Sequence, residues 1–160
     1  HQKAPRLGEI VIFNRSQYED VLVPRVQGWI DTTTWQKRYR HIVNFEALLH
    51  DQNVHILKCY LHISHQEQKD RLQARMNDPL KRWKLKLSDF EDRKHWHSYI
   101  QAYQDAMQAT STPQAPWFVI PSDVKSFRDL YLANLLVNQL NAMRMKMPTK
   151  SMHWSEADLD

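Results

Sequence analysis

Residues 54–67, VHILKCYLHISHQE, decide the fold. Ten of them, 54–63, form a mostly apolar run that reads as a strand, and the run stops at Ser64. Ser64 with Glu67 has the spacing of a capping box, which predicts a helix over about 65–76. Asn77-Asp78-Pro79 ends that helix. A buried strand feeding directly into a capped helix is half of a βα unit, and the chain offers more of the same on either side. Upstream, EIVIF at 9–13 reads as a strand that ends on polar Asn14, Arg15 and Ser16, with a helix over about 18–28 after it. Trp35, Tyr39, Ile42, Phe45, Leu48 and Leu49 then mark a helix over about 34–51 by their spacing.

Downstream, Ser88 with Glu91 predicts a second capping box. It opens a helix along which Trp96, Tyr99, Ile100, Tyr103 and Met107 repeat. WFVIP at 117–121 reads as a third strand, and Ser122 or Asp123 is placed to cap a long last helix to about 145. Three continuous apolar strands separated by long helices predict an α/β fold: a parallel sheet sandwiched by helices on both faces. Such sheets bind ligands outside the carboxyl ends of their strands, which directs attention to residues 14–20, 64–67 and 121–125.

Composition narrows the function. The 160 residues contain two glycines where average usage would give about eleven. Gly8 and Gly28 stand alone, so neither a G-x-x-x-x-G-K-[ST] loop nor a G-x-G-x-x-G turn is written here. Cys59 is the sole cysteine, which excludes an internal disulfide and a cysteine-rich zinc module; it reads as a buried, inert thiol and fits a cytoplasmic setting. No apolar run approaches the ~18 residues of a membrane span, and the first ten residues lack the apolar core of a signal peptide. The nine histidines do not take metal-site spacings: His62 and His65 straddle a strand end, and His95 and His97 are two apart on a helix. Ser16 lacks a G-x-S-x-G elbow.

The net charge of +4 is unevenly spread, because residues 69–86 hold seven Lys/Arg against two Asp, a local +5. Such a run is either a solvated helix face or the seat of an anionic partner. The stretch NRSQYED at 14–20 weighs toward the second. It places an arginine able to clamp phosphate oxygens beside a hydroxyl and two carboxylates, and Mg²⁺ favours one or two carboxylates plus substrate phosphates. Arg25 could add a second cation. Glu19 and Asp20 equally suit a helix N-terminus, and Arg15 could pair with one of them. LKRWKLK at 80–86, lying between two capped helices, reads as a positive flap over phosphates, with Trp83 stacking or packing.

These residues resemble a known family. GEIVIFNRSQYEDVLVPRV, then LKCYLHISHQEQKDRLQARMNDPLKRWKLKLSD, then HWHSYIQAY and PWFVIPSDVKSFRDL are similar to the second family of polyphosphate kinases. IFNRS-x-YEDVL is similar to its class III branch of polyphosphate:nucleotide phosphotransferases. The resemblance covers residues 1–148, with a lid at about 77–88 and a polar tail over 149–160. It implies a P-loop kinase-like fold and Mg²⁺-dependent transfer of a terminal phosphoryl from inorganic polyphosphate to a nucleoside mono- or diphosphate of the AMP/ADP type. By motif, Arg15 would contact phosphate, Asp20 would help bind Mg²⁺, and Asn14 and Glu19 would lie near the nucleotide. Arg25, Arg71, Arg75, Lys81, Arg82 and Lys84 would serve the lid and polyphosphate channel.

The family's first strand and Walker A loop have no counterpart in these residues, and the chain begins with His. The expectation is the C-terminal portion of a kinase with little or no transferase activity alone. The expected partners are polyphosphate and nucleotide, with no membrane or nucleic acid, and a homo-oligomer formed through helices. Two other readings stand beside it: a non-catalytic module binding polyanion or nucleic acid, and an ATP-dependent nucleoside monophosphate kinase.

Overall fold

The computed structural model describes residues 2–146. Six helices and two strands follow one another as α1 (Glu19–Val26), α2 (Thr32–Asp51), β1 (Lys58–His62), α3 (His65–Asn77), α4 (Leu87–Lys94), α5 (Trp96–Thr110), β2 (Trp117–Pro121) and α6 (Lys125–Ala142), with a 3₁₀ turn at Arg82–Lys84 before α4. The strands pair in parallel, Lys58 opposite Trp117 through His62 opposite Pro121. The α/β architecture expected from the sequence is present, with fewer strands.

Residues 9–13 are not a strand. Ile10 and Ile12 stand 68% and 85% exposed. An apolar run becomes a strand only where a neighbour accepts its backbone hydrogen bonds, and among the described residues none lies beside it. β1 is also shorter than its apolar run. Asn53, in the left-handed region at φ 61°, closes α2 with a Schellman motif: its N–H reaches the His50 carbonyl at 2.8 Å, and the Val54 N–H reaches that of Leu49 at 3.0 Å. Gly28, at φ 69°, closes α1 the same way, with Trp29 N–H on the Pro24 carbonyl at 2.8 Å. No atom lies within 4 Å of a Cβ built there, so the backbone angle, not space, calls for glycine.

Ser64 caps α3, its Oγ accepting from Glu67 N–H at 3.0 Å, but the expected box is only half made, because the Glu67 carboxylate takes Arg71 and the Ser64 N–H goes to Asp123. The second capping box is shifted. Lys86 occupies the cap, and its N–H donates to Asp89 at 3.0 Å, so Ser88 and Glu91 lie inside α4. The helix expected to run on to Met107 breaks at His95 into α4 and α5. Neither Ser122 nor Asp123 caps α6: Ser122 Oγ donates to the Ile120 carbonyl at 2.8 Å, and Asp123 accepts from the Ser64 N–H at 2.7 Å. That second bond ties the end of β2 to the end of β1. Cys59 is half-buried rather than buried, and burial pushes its thiol up, away from the reactive thiolate.

The core lies where α1, α2 and α5 meet: Tyr18, Val21, Leu22, Tyr39, Ile42, Ala102 and Ala106, backed by Trp35, Tyr103 and Trp117. α5 turns inward not its largest side chains but Ala102, Ala106 and Thr110, spaced four apart, and small side chains let α1 approach closely. α6 buries none of its residues, and Leu130 and Val137 on it are more than half exposed.

Candidate functional site

The loop at 14–20 is held from behind by a buried polar cluster. Tyr18 begins α1 with its ring edge-on to Trp117, centroids 4.8 Å apart, and its hydroxyl donates to Glu46 at 2.9 Å. Lys58 donates to the other Glu46 oxygen at 2.7 Å, to the Tyr18 hydroxyl at 3.2 Å and to the Thr110 carbonyl at 2.8 Å. The Lys58 and Glu46 side chains are only 5% and 3% exposed. Burial pushes the Lys58 ammonium down while Glu46 lifts it, with burial prevailing, and the same burial drives the Tyr18 phenol far up. Every ammonium proton has an acceptor, which such a charge requires.

On this support the loop presents its charges outward. Arg15 takes φ 73°, its side chain 80% exposed, and touches Glu19 at 3.9 Å. Exposed Asp20 has no side-chain partner among the described residues, and neither has Asn14. The Arg15 and Glu19 charges are felt by Tyr103, and that of Glu19 by Tyr99, so the pair sits beside the tyrosines of α5. Tyr103 stacks on Tyr60 at 4.5 Å, whose phenol burial pushes up to about 12.

The other basic residues divide by occupation. Arg25 lies 4.2 Å over the Trp35 ring and donates to Asp105 at 2.5 Å and to the Tyr39 hydroxyl at 3.3 Å. Arg71 donates to Glu67 at 2.7 Å and to the Ser122 carbonyl at 2.6 Å, bracing the strand ends. In the segment after α3, Lys81 pairs with Asp78 at 2.7 Å, Arg82 donates to the Met76 carbonyl at 2.9 Å, and Lys84 sits 5.3 Å from the ring of exposed Trp83. Arg75 has no partner among the described residues. No hydrogen bond or ion pair joins this basic segment to the 14–20 loop among the described residues. At the carboxyl ends of the strands, His62, Ser64, Ser122, Asp123, Val124 and Phe127 line a cleft of about 520 Å³. The cluster of Tyr18, Glu46 and Lys58 was missed in the sequence. Its signal was a lysine inside an apolar strand and Glu46 on the same helix face as Tyr39 and Ile42.

Burial opposes ionisation of Asp105, but hydrogen bonds from Arg25 and Gln101 outweigh it and hold the carboxyl below its usual range. A depressed carboxyl contributes stability above its unfolded value near pH 4, and that contribution is lost as pH falls through the folded value. Asp105→Asn is therefore expected to cost about 1 kcal/mol at pH 7 and progressively less below pH 4 in urea unfolding. A cost independent of pH would count against the pairing.

Among the described residues no group of three or more His, Cys, Asp or Glu could hold a metal ion by itself. A single carboxylate with hard oxygen donors and open solvent in front of it suits Mg²⁺, which retains waters and takes remaining ligands from phosphate. Asp20 fits that description.

The chain is similar to known proteins over nearly its whole length. The family Polyphosphate kinase 2 (PPK2) matches residues 1–148. The crystal structure of Polyphosphate Kinase 2 from Arthrobacter aurescens TC1 superposes with a TM-score of 0.92 at 39% identity, over 99% of this chain and 56% of that one. The fold is thus that of a polyphosphate-kinase-type α/β protein. AMP/ADP-polyphosphate phosphotransferase of Meiothermus ruber is 50% identical over 148 residues, 92% of this chain and 55% of its own length. ADP-polyphosphate phosphotransferase of Rhodopseudomonas palustris is 35% identical over 90% of this chain and 54% of its own. The chain belongs to the polyphosphate kinase 2 family, and it spans about half the length of these curated relatives.

Proposed function

We propose that this chain carries part of the machinery for Mg²⁺-dependent phosphoryl transfer from inorganic polyphosphate to a nucleoside mono- or diphosphate. The observation that carries the reading is the outward placement of Arg15, which only touches Glu19 at 3.9 Å, and of Asp20, which has no side-chain partner among the described residues, on a loop anchored by a buried ion pair, in a chain of this family. Arg15 would grip phosphate oxygens and Asp20 would hold Mg²⁺, whose chemistry when bound is to neutralise charge on the transferring group. Asn14 and Glu19 would lie toward the nucleotide. Arg75, Lys81, Arg82 and Lys84 would steer the polyanion, whereas Arg25 and Arg71 would brace the scaffold through the partners they already have. The cytoplasm, where nucleotides are abundant, is the setting proposed. Because no glycine-rich phosphate loop is written in these 160 residues, they are proposed to turn over little by themselves.

Calorimetry of the purified chain with a short polyphosphate tests this. Binding is expected to strengthen with Mg²⁺, to lose that dependence in Asp20→Asn, and to weaken about tenfold or more in Arg15→Met. Salt-dependent binding indifferent to Mg²⁺ and to both variants would favour a non-catalytic polyanion module instead. Family-like turnover with AMP or ADP would overturn the proposed inactivity, and competition between ATP and polyphosphate as donors identifies the donor.

A further inference from the structure

Pro24 lies inside α1, where it has no N–H to give to the carbonyl four residues back. That carbonyl belongs to Asp20. Arg38 supplies the missing donor: its Nη1 reaches the Asp20 oxygen at 2.5 Å from the facing helix α2. We infer that Arg38 is a positioning residue for Asp20, a side-chain substitute for the hydrogen bond Pro24 removes, which fixes the backbone from which the metal-binding carboxylate projects.

Three features support the inference. The Asp20 N–H reaches the Gln17 carbonyl at 3.2 Å within the same turn, so Arg38 is the one side chain among the described residues that holds Asp20, whose carboxylate faces solvent without a partner. Tyr18 is fixed two residues earlier by Glu46, itself eight residues beyond Arg38 on α2, so one helix would set both ends of the Tyr18 to Asp20 segment. A guanidinium is long enough to reach from the facing helix to a carbonyl that Pro24 leaves without its helical donor, so in this proposal Arg38 acts through the Asp20 backbone and not on phosphate. The inference rests on the proposed role of Asp20, and the experiment separates the two.

Binding of Mn²⁺ in place of Mg²⁺, with tripolyphosphate present, is followed by water-proton relaxation on the purified 160-residue chain, and thermal melting is recorded for every variant. Arg38→Met is expected to weaken metal binding about tenfold, the effect of losing one hydrogen bond to a charged donor. Adding Pro24→Ala restores a backbone N–H to the Asp20 carbonyl, so the double variant Arg38→Met/Pro24→Ala is expected to recover most of that affinity. Pro24→Ala alone is expected to bind as the unsubstituted chain does. Undiminished binding in Arg38→Met would overturn the inference. A loss that Pro24→Ala does not repair would overturn it too, since Arg38 would then act by its own charge. If Asp20→Asn binds Mn²⁺ unchanged, or the unsubstituted chain binds none, the role of Asp20 itself fails and the inference goes with it.

Discussion

Replacement of Lys58 by Met is expected to destabilise the chain by about 3–5 kcal/mol, read from urea or thermal unfolding at pH 7. The effect follows from what is left behind. Glu46, only 3% exposed, would lose its cation, and the Tyr18 hydroxyl and Thr110 carbonyl would each lose a donor. A buried pair contributes little net stability, because desolvation offsets attraction, but half a pair is costly. The double variant Lys58→Met/Glu46→Gln removes both charges and leaves an amide that can still bond Tyr18. It is expected to be more stable than Lys58→Met alone. If the double variant were simply as unstable as the two single losses added together, the pair would not be coupled.

The second large effect is expected at the basic segment. Replacing Lys81, Arg82 and Lys84 together by Ala should weaken polyphosphate binding about a hundredfold at low salt. The slope of log K against log salt should flatten by about 2–3, as for the loss of three phosphate contacts on a linear polyanion. Lys81 is already paired with Asp78 and Arg82 with the Met76 carbonyl, so binding must exchange those contacts for phosphate. Both side chains are exposed, where such exchange costs little. An unchanged slope would place the polyanion elsewhere on the chain.

The elements written in local signals were legible. Ser64 with Glu67 marked the start of α3, and the apolar runs at 54–63 and 117–121 marked two parallel strands, the first longer than the strand it contains, because capping and strand burial are properties of neighbouring residues. What escaped were decisions made across space. Residues 9–13 have a strand's composition and lack a strand's neighbour. Asp123 has the composition of a cap, but the Ser64 N–H claimed it first. The same division holds at the candidate site. Arg15, Glu19 and Asp20 could be picked out from one heptapeptide, whereas Arg25 and Arg71 could not be separated from Arg75 by charge alone; their acceptors, Asp105 and the Ser122 carbonyl, lie dozens of residues away. Glu46 was hidden for the opposite reason. Charged residues are usually solvated, and only its pairing with a lysine from a strand makes its burial tolerable.

The uncovered run at 9–13 has a consequence for handling the protein. Ile10, Val11, Ile12 and Phe13 are contiguous, uncharged, rich in β-branched side chains and at least 41% exposed. Such a segment is a template for strand addition between molecules. Concentrated samples of the chain would then cross-link through non-covalent ladders, and turbidity rising with protein concentration would begin there rather than at the charged surface of the 81–84 segment.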